Sequence, residues 1–161
     1  MLNKKAIISL FLLFASGFII ANAESAPTKA PAVKQLQTNI KPEITTTSLN
    51  VVANPSKYLN ETVIMTAKFD KFTTLGLDYK KAMRDSQKYI GLLVQRDDIK
   101  DHNVPLSELK MFMTRDYAEK FIDLNTGDKV KIRGKVFSTA LGDAWIDVLD
   151  INIIEKAPST K

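Results

Sequence analysis

Apolar and polar side chains alternate strictly from Lys129 to Val136: Val130, Ile132, Gly134 and Val136 fall on one side, Lys129, Lys131, Arg133 and Lys135 on the other. A period of two predicts a half-buried strand with one wet face. Leu141-Gly142-Asp143 marks a turn, and Ala144 to Ile154 returns as a second strand rich in Ile, Val and Trp. Gly134 in mid-strand predicts a bend or bulge. Upstream, Thr62 to Phe72 alternates Val63, Met65, Ala67 and Phe69 against Thr66, Lys68 and Asp70, Tyr89 to Gln95 is almost wholly apolar, and Leu109 to Thr114 turns Leu109, Met111 and Met113 inward. These predict three earlier strands.

The period changes once. Tyr117, Ala118, Phe121, Ile122 and Leu124 recur at helical spacing, Asp116 with Glu119 forms a capping-box pattern, and Gly127 stands where the helix would stop. Between the first two strands, Thr73 to Lys88 is a long polar insertion. In it Asp78 to Arg84 predicts about two helical turns, with Tyr79, Ala82 and Met83 on one face. The order is therefore β-β-β-α-β-β, an all-β domain with one helix.

The ends read differently. Lys4 and Lys5, the apolar stretch Ala6 to Ile20 and the small-residue site Ala21-Asn22-Ala23 predict a cleaved export signal over residues 1–23. Its apolar run is shorter than the ~20 residues a membrane span needs, so no stable membrane insertion is expected after cleavage. Residues 24–47, with Pro27, Pro31 and Pro42 among Ala, Thr and Lys, predict a disordered tether. One domain is left over 48–155, followed by a tail, 156–161. The chain has no Cys, which excludes disulfides and a lipid-modified amino-terminal Cys and points to a periplasmic or secreted product.

Net charge is +5, but from Leu49 to Glu155 the chain carries 16 Lys and Arg against 16 Asp and Glu. The domain is neutral, and binding to a polyanion would need a local patch. Catalysis finds little support. The single His, His102, lies in the loop Asp97-Asp98-Ile99-Lys100-Asp101-His102-Asn103, which reads as a solvated surface. The acids Asp97, Asp98 and Asp101 lack the glycine turn and distal Glu of a calcium loop, and there is no Gly-rich phosphate cradle. No cofactor, metal site or enzymatic activity is expected.

Five short strands with a helix between the third and fourth resemble the OB-fold. The stretch Gly127 to Val136 followed by Ala144 to Val148 is similar to the last two strands of many OB domains. The entry Asn54 to Val63 resembles that of exported bacterial OB-fold proteins and of the anticodon-binding-like OB group. The resemblance implies a binding module whose ligand crosses the second and third strands between two loops. On that face the residues to expect are Lys80, Lys81, Arg84, Tyr89 and Trp145, flanked by Lys131 and Arg133. The expected ligand is anionic, a peptide or an envelope protein; the alternative is single-stranded nucleic acid, which needs this mix of cations and stackable rings. A further expectation is that the Lys-rich fourth strand offers an edge to an extended peptide such as the tether.

Overall fold

The computed structural model describes residues 41–158. The predicted export signal, the tether up to residue 40 and residues 159–161 lie outside the described residues. The strands are β1 (Ile44–Thr45), β2 (Thr62–Thr73), β3 (Tyr89–Val94), β4 (Leu109–Thr114), β5 (Lys129–Ser138) and β6 (Ala144–Glu155), with helices α1 (Ser48–Ala53) and α2 (Arg115–Ala118). Strand β2 pairs antiparallel with both β3 and β5, β3 with β4, and β5 with β6, while β4 runs parallel to β6. The five long strands thus close on themselves in the order of an OB barrel.

Closure depends on β2 serving two neighbours. Its first half, Thr62 to Lys68, lies against β5; after a register shift between Phe69 and Lys71, its second half pairs with β3. Strand β5 bends at Gly134, where the register against β6 shifts. A Cβ on Gly134 would stand 2.5 Å from Ile146 Cγ2 and 3.1 Å from the Asp147 carbonyl oxygen, so only hydrogen fits. The interior is filled by the residues the alternation assigned to it: Val63, Met65, Ala67 and Phe69, Leu109, Met111 and Met113, Val130, Ile132 and Val136, with Ile146 and Val148 from β6. Val51 of α1 and Tyr58 join this core.

Several expectations need correction. The second helix is one turn, begun by Thr114, whose Oγ1 accepts from the Tyr117 N–H at 3.3 Å, and it tightens into a 3-10 turn over Glu119–Phe121. Asp116 is inside the helix rather than its cap. Residues 78–84 form turns and no helix, because the Arg84 N–H bonds back to the Leu77 carbonyl and folds the stretch into a loop. Regular structure starts before Ser48: Ile44 and Thr45 pair parallel to Val63 and Ile64, and Thr47 caps α1 through a bond from the Asn50 N–H. Strand β5 has neighbours on both sides, so the Lys-rich strand offers no edge, and this end of the expected tether adds to β2 instead.

Asp128 fastens the other end. Its carboxylate is fully buried and accepts from the backbone N–H groups of Asn125 (2.9 Å) and Ala157 (2.8 Å) and from Lys156 Nζ (2.9 Å), so the chain past β6 is tied down where a tail was expected. Burial alone would push this carboxyl up, but the two N–H bonds and the Lys156 ammonium together outweigh it, and its pKa lies below the usual carboxylate value.

Two outcomes follow from this packing. Gly134→Ala should cost about 1–3 kcal/mol in urea denaturation, because Ile146 and the β6 backbone must move. A depressed folded pKa means that Asp128 stabilises the fold above the unfolded-state value near 4, a contribution lost as pH falls through the folded pKa. Asp128→Asn should therefore be less stable than wild type at pH 7 and lose less of its remaining stability on acidification below pH ~4. Unfolding curves at a series of pH values check both points.

Candidate ligand groove

The outer face of β3, β4 and β6 is not left to solvent. On β4, Phe112 points opposite to Met111 and Met113, and on β6, Trp145 points opposite to Ala144 and Ile146. The loop between β2 and β3 folds over them, so that Leu77, Ala82, Phe112 and Trp145 make a second buried cluster, outside the barrel, bordered by Tyr79, Tyr89, Phe137 and Ala140. The Tyr79 ring stacks on Trp145 at 5.3 Å and 25°. The indole Nε1 donates to the Ala140 carbonyl at 2.7 Å.

Arg84 joins the loop to the sheet. Its Nε and Nη2 donate to Asp147 Oδ1 (2.9 Å) and Oδ2 (2.7 Å), and its guanidinium lies 3.7 Å from the Phe137 ring centroid. The bond to Asp147 holds the guanidinium pKa above its ordinary value. Such a fork-to-carboxylate pair is geometrically strict, so Arg84 is engaged rather than waiting for a ligand.

Beside the loop, the same face leaves a groove of about 420 Å³ lined by Tyr89, Phe112, Thr114, Tyr117, Asp147 and Leu149. Tyr117 is oriented by its hydroxyl, which donates to Asp150 Oδ1 at 2.9 Å and accepts from the Ile151 N–H at 3.3 Å. The bond from Tyr117 is the main reason that the Asp150 carboxyl sits below its usual pKa. Burial, seconded by Asp150, raises that of the Tyr117 phenol. A larger cleft, about 580 Å³, lies where β2, β5 and the end of β6 meet. Lys68, Lys129 and Lys156 line it together with Asp97 and Glu155, so its charges offset one another. A third hollow is bounded by Phe72, Ile90, Ala118 and Ile122. The groove beside the loop sets two tyrosine rings, Tyr89 and Tyr117, against the strand face on which OB ligands lie.

Three of the expected site residues come together here: Arg84, Tyr89 and Trp145. Trp145, however, is 1% exposed and roofed by Tyr79, so it cannot touch a ligand in this arrangement. Lys80 and Lys81 are exposed on the loop, with no ion-pair partner among the described residues. Lys131 and Arg133 are elsewhere. Arg133 pairs with Glu43 at 3.2 Å, and at ~3.4 Å per residue the two lie roughly 20 and 14 Å along β5 from Phe137, the β5 residue that meets Arg84. The reading missed Phe112, Tyr117 and Asp147. The signal for Phe112 was in the chain: in Leu109-Lys110-Met111-Phe112-Met113 an aromatic interrupts the polar phase of the alternation, which means that both faces are covered.

In the 95–108 connection, Asp98 is held by Arg96 through bonds of 3.0 and 2.9 Å, and His102 is exposed. Among the described residues no three His, Cys, Asp or Glu groups lie close enough to hold a metal ion.

No protein-family model matches the chain, and no curated protein matches it. By structure it is similar to an aspartyl-tRNA synthetase from Leishmania major Friedlin, at 12% identity and TM-score 0.47 over 82% of this chain and 24% of that one. It is also similar to the asparaginyl-tRNA synthetase of Pyrococcus horikoshii (14%, TM-score 0.44, 70% of this chain and 23% of that one). A third likeness is to yeast Stn1 and Ten1 (14%, TM-score 0.44, 70% of this chain and 80% of that one). The chain spans about a quarter of the length of the synthetase chains. The OB topology stands on the strand order and register, independently of these likenesses.

Tyr117→Phe should raise the pKa of Asp150 toward its ordinary value and lower stability by about 1 kcal/mol, the net contribution of one such hydrogen bond. Carboxyl-carbon NMR titration and thermal unfolding measure the two effects.

Proposed function

We propose that this chain is an exported, non-catalytic OB-fold binding module, and that its ligand is an anionic chain bearing flat rings, with single-stranded nucleic acid the class that fits the groove. The observation that carries the reading is the pairing of two half-buried tyrosine rings, Tyr89 and Tyr117, at one open groove, with Lys80 and Lys81 exposed on the loop between β2 and β3 and in no ion pair among the described residues. Rings of this kind accept any base by stacking, at about 1–3 kcal/mol per base. The exposed lysines of the loop between β2 and β3 would release counterions from a phosphate chain, which gives a neutral domain a local affinity for polyanions. Asp147 is no barrier to that chain, because Arg84 already neutralises it.

The broader expectation, a peptide or envelope protein as ligand, makes a different demand: rings would still matter, but affinity would respond weakly to salt. Fluorescence anisotropy of a labelled oligothymidylate of about 12 nucleotides, within the site size of a single OB fold, separates the two. Tyr89→Ala should weaken binding roughly 5- to 150-fold. Replacing Lys80 and Lys81 together by Ala should flatten the slope of log K against log salt by about 1.4, at roughly 0.7 per lost single-strand phosphate contact. A wild-type protein that leaves the oligomer free even at low salt would refute the nucleic-acid reading.

A further inference from the structure

The loop between β2 and β3 is bonded to itself more than to the barrel. Between Gly76 and Arg84 its backbone bonds are internal: Tyr79 N–H to Gly76 O (3.3 Å), Ala82 N–H to Tyr79 O (2.9 Å) and Arg84 N–H to Leu77 O (2.9 Å). Backbone fastening begins only at its far end, where the Asp85 carbonyl accepts from the Tyr89 N–H of β3 at 2.8 Å and Arg115 donates from Nε to the Ser86 carbonyl and from its N–H to that of Lys88. What holds the middle down is side chains alone: Leu77 and Ala82 against Phe112 and Trp145, the Tyr79 stack, and the Arg84–Asp147 pair. The cluster they bury shares no residue with the barrel interior. Lifting the loop would uncover Phe112 and Trp145 and leave the closed barrel packed. A segment with this wiring is a natural unit of local opening.

The side chains that seat the loop are also ligand-like. Tyr79 lays a flat ring on Trp145, and Arg84 lays a planar guanidinium on Phe137, as a stacked base would. Phe112 and Asp147 belong to both surfaces, since they line the open groove and also meet the loop. The covered rings and the open groove are therefore one continuous face.

We propose that residues 75–85 form a strap that lifts as a unit and competes in cis with the ligand: closed, it restricts binding to the Tyr89–Tyr117 groove, and open, it extends the ring-lined face to Phe112 and Trp145. The regulatory part rests on the groove reading above. The strap itself does not. Both are tested on the full chain. Trp145 is the only Trp in the sequence, so acrylamide quenching of its emission reports the strap, while amide hydrogen exchange compares residues 77–84 with the β2–β5 ladder.

In wild type the strap amides should exchange together and faster than the ladder. Arg84→Ala should speed them roughly fivefold and Leu77→Ala roughly a hundredfold or more, with matching rises in Trp145 quenching and no change in the ladder. Strap and ladder exchanging at one rate, or accelerating equally in both variants, would overturn the strap. Given a wild type that binds the oligothymidylate, Leu77→Ala should bind it tighter, because the covered face becomes populated. Unchanged affinity there would overturn the competition and spare the groove. No binding by wild type or Leu77→Ala would overturn the groove reading and the competition with it, while the exchange data still decide the strap.

Discussion

Barrel closure rests on the ladder in which Thr62 to Lys68 of β2 lies against Lys129 to Lys135 of β5. Closing a five-stranded sheet requires tilted strands and a staggered register, and β2 is long enough to pair with β5 along its first half and with β3 along its second. Here β2 bends at the Phe69–Lys71 register shift, and β5 bends at Gly134, where the side chain of Ile146 fills the space that a Cβ would take. Once that ladder forms, the inward rows of both strands meet the methionines of β4 in one apolar core.

The outside is shaped by two apolar residues on the polar phase of their strands. Phe112 and Trp145 would each leave a large ring in water, and the loop after β2 is long enough to fold back and bury them. The loop is held there by few apolar groups, Leu77, Ala82 and the Tyr79 ring, whereas the barrel interior is filled from every long strand. The same arrangement explains why Arg84, the most inward of the loop cations, is paired with a carboxylate, whereas Lys80 and Lys81 are left in water.

How much of this was legible depended on whether a single period governed a stretch. Val130, Ile132 and Val136 obey one alternation, and the strand they predict is observed, running two residues past Val136 to Ser138. The loop has no period. Its form comes from contacts with residues more than 30 positions away, Phe112 and Trp145, and local propensity in Asp78 to Arg84 argued for helix with nothing to oppose it. Thr114 ends a strand and starts a helix at once, a double duty that a pattern of acids at Asp116 and Glu119 obscured. The structure brings Arg84, Tyr89 and Trp145 together as neighbours, but Trp145 was expected there without its cover. Asp147 went unnoticed, because a lone carboxylate on a strand has no signature until its partner is seen.

The basic row on β5 shows how a sequence pattern can suggest the wrong surface. Lys129, Arg133 and Lys135 stand directly across from Glu155, Asp150 and Asp147 of β6. Cross-strand pairs of opposite charge contribute about 0.2–1 kcal/mol each to a sheet, so Lys129 and Arg133 serve the stability of the barrel, while the Asp147 carboxylate opposite Lys135 is already held by Arg84. On its other side, Lys129 faces Lys68, a like-charge contact that the acids of the neighbouring cleft offset. Lysines compensated in this way have little field left for a distant anion, because exposed charges more than about 10 Å away are screened. Lys80 and Lys81 differ in kind: they extend from a loop and have no acidic neighbour in ion-pair contact among the described residues. An anion drawn to this protein should therefore settle by the loop, with the β5 row left to the sheet.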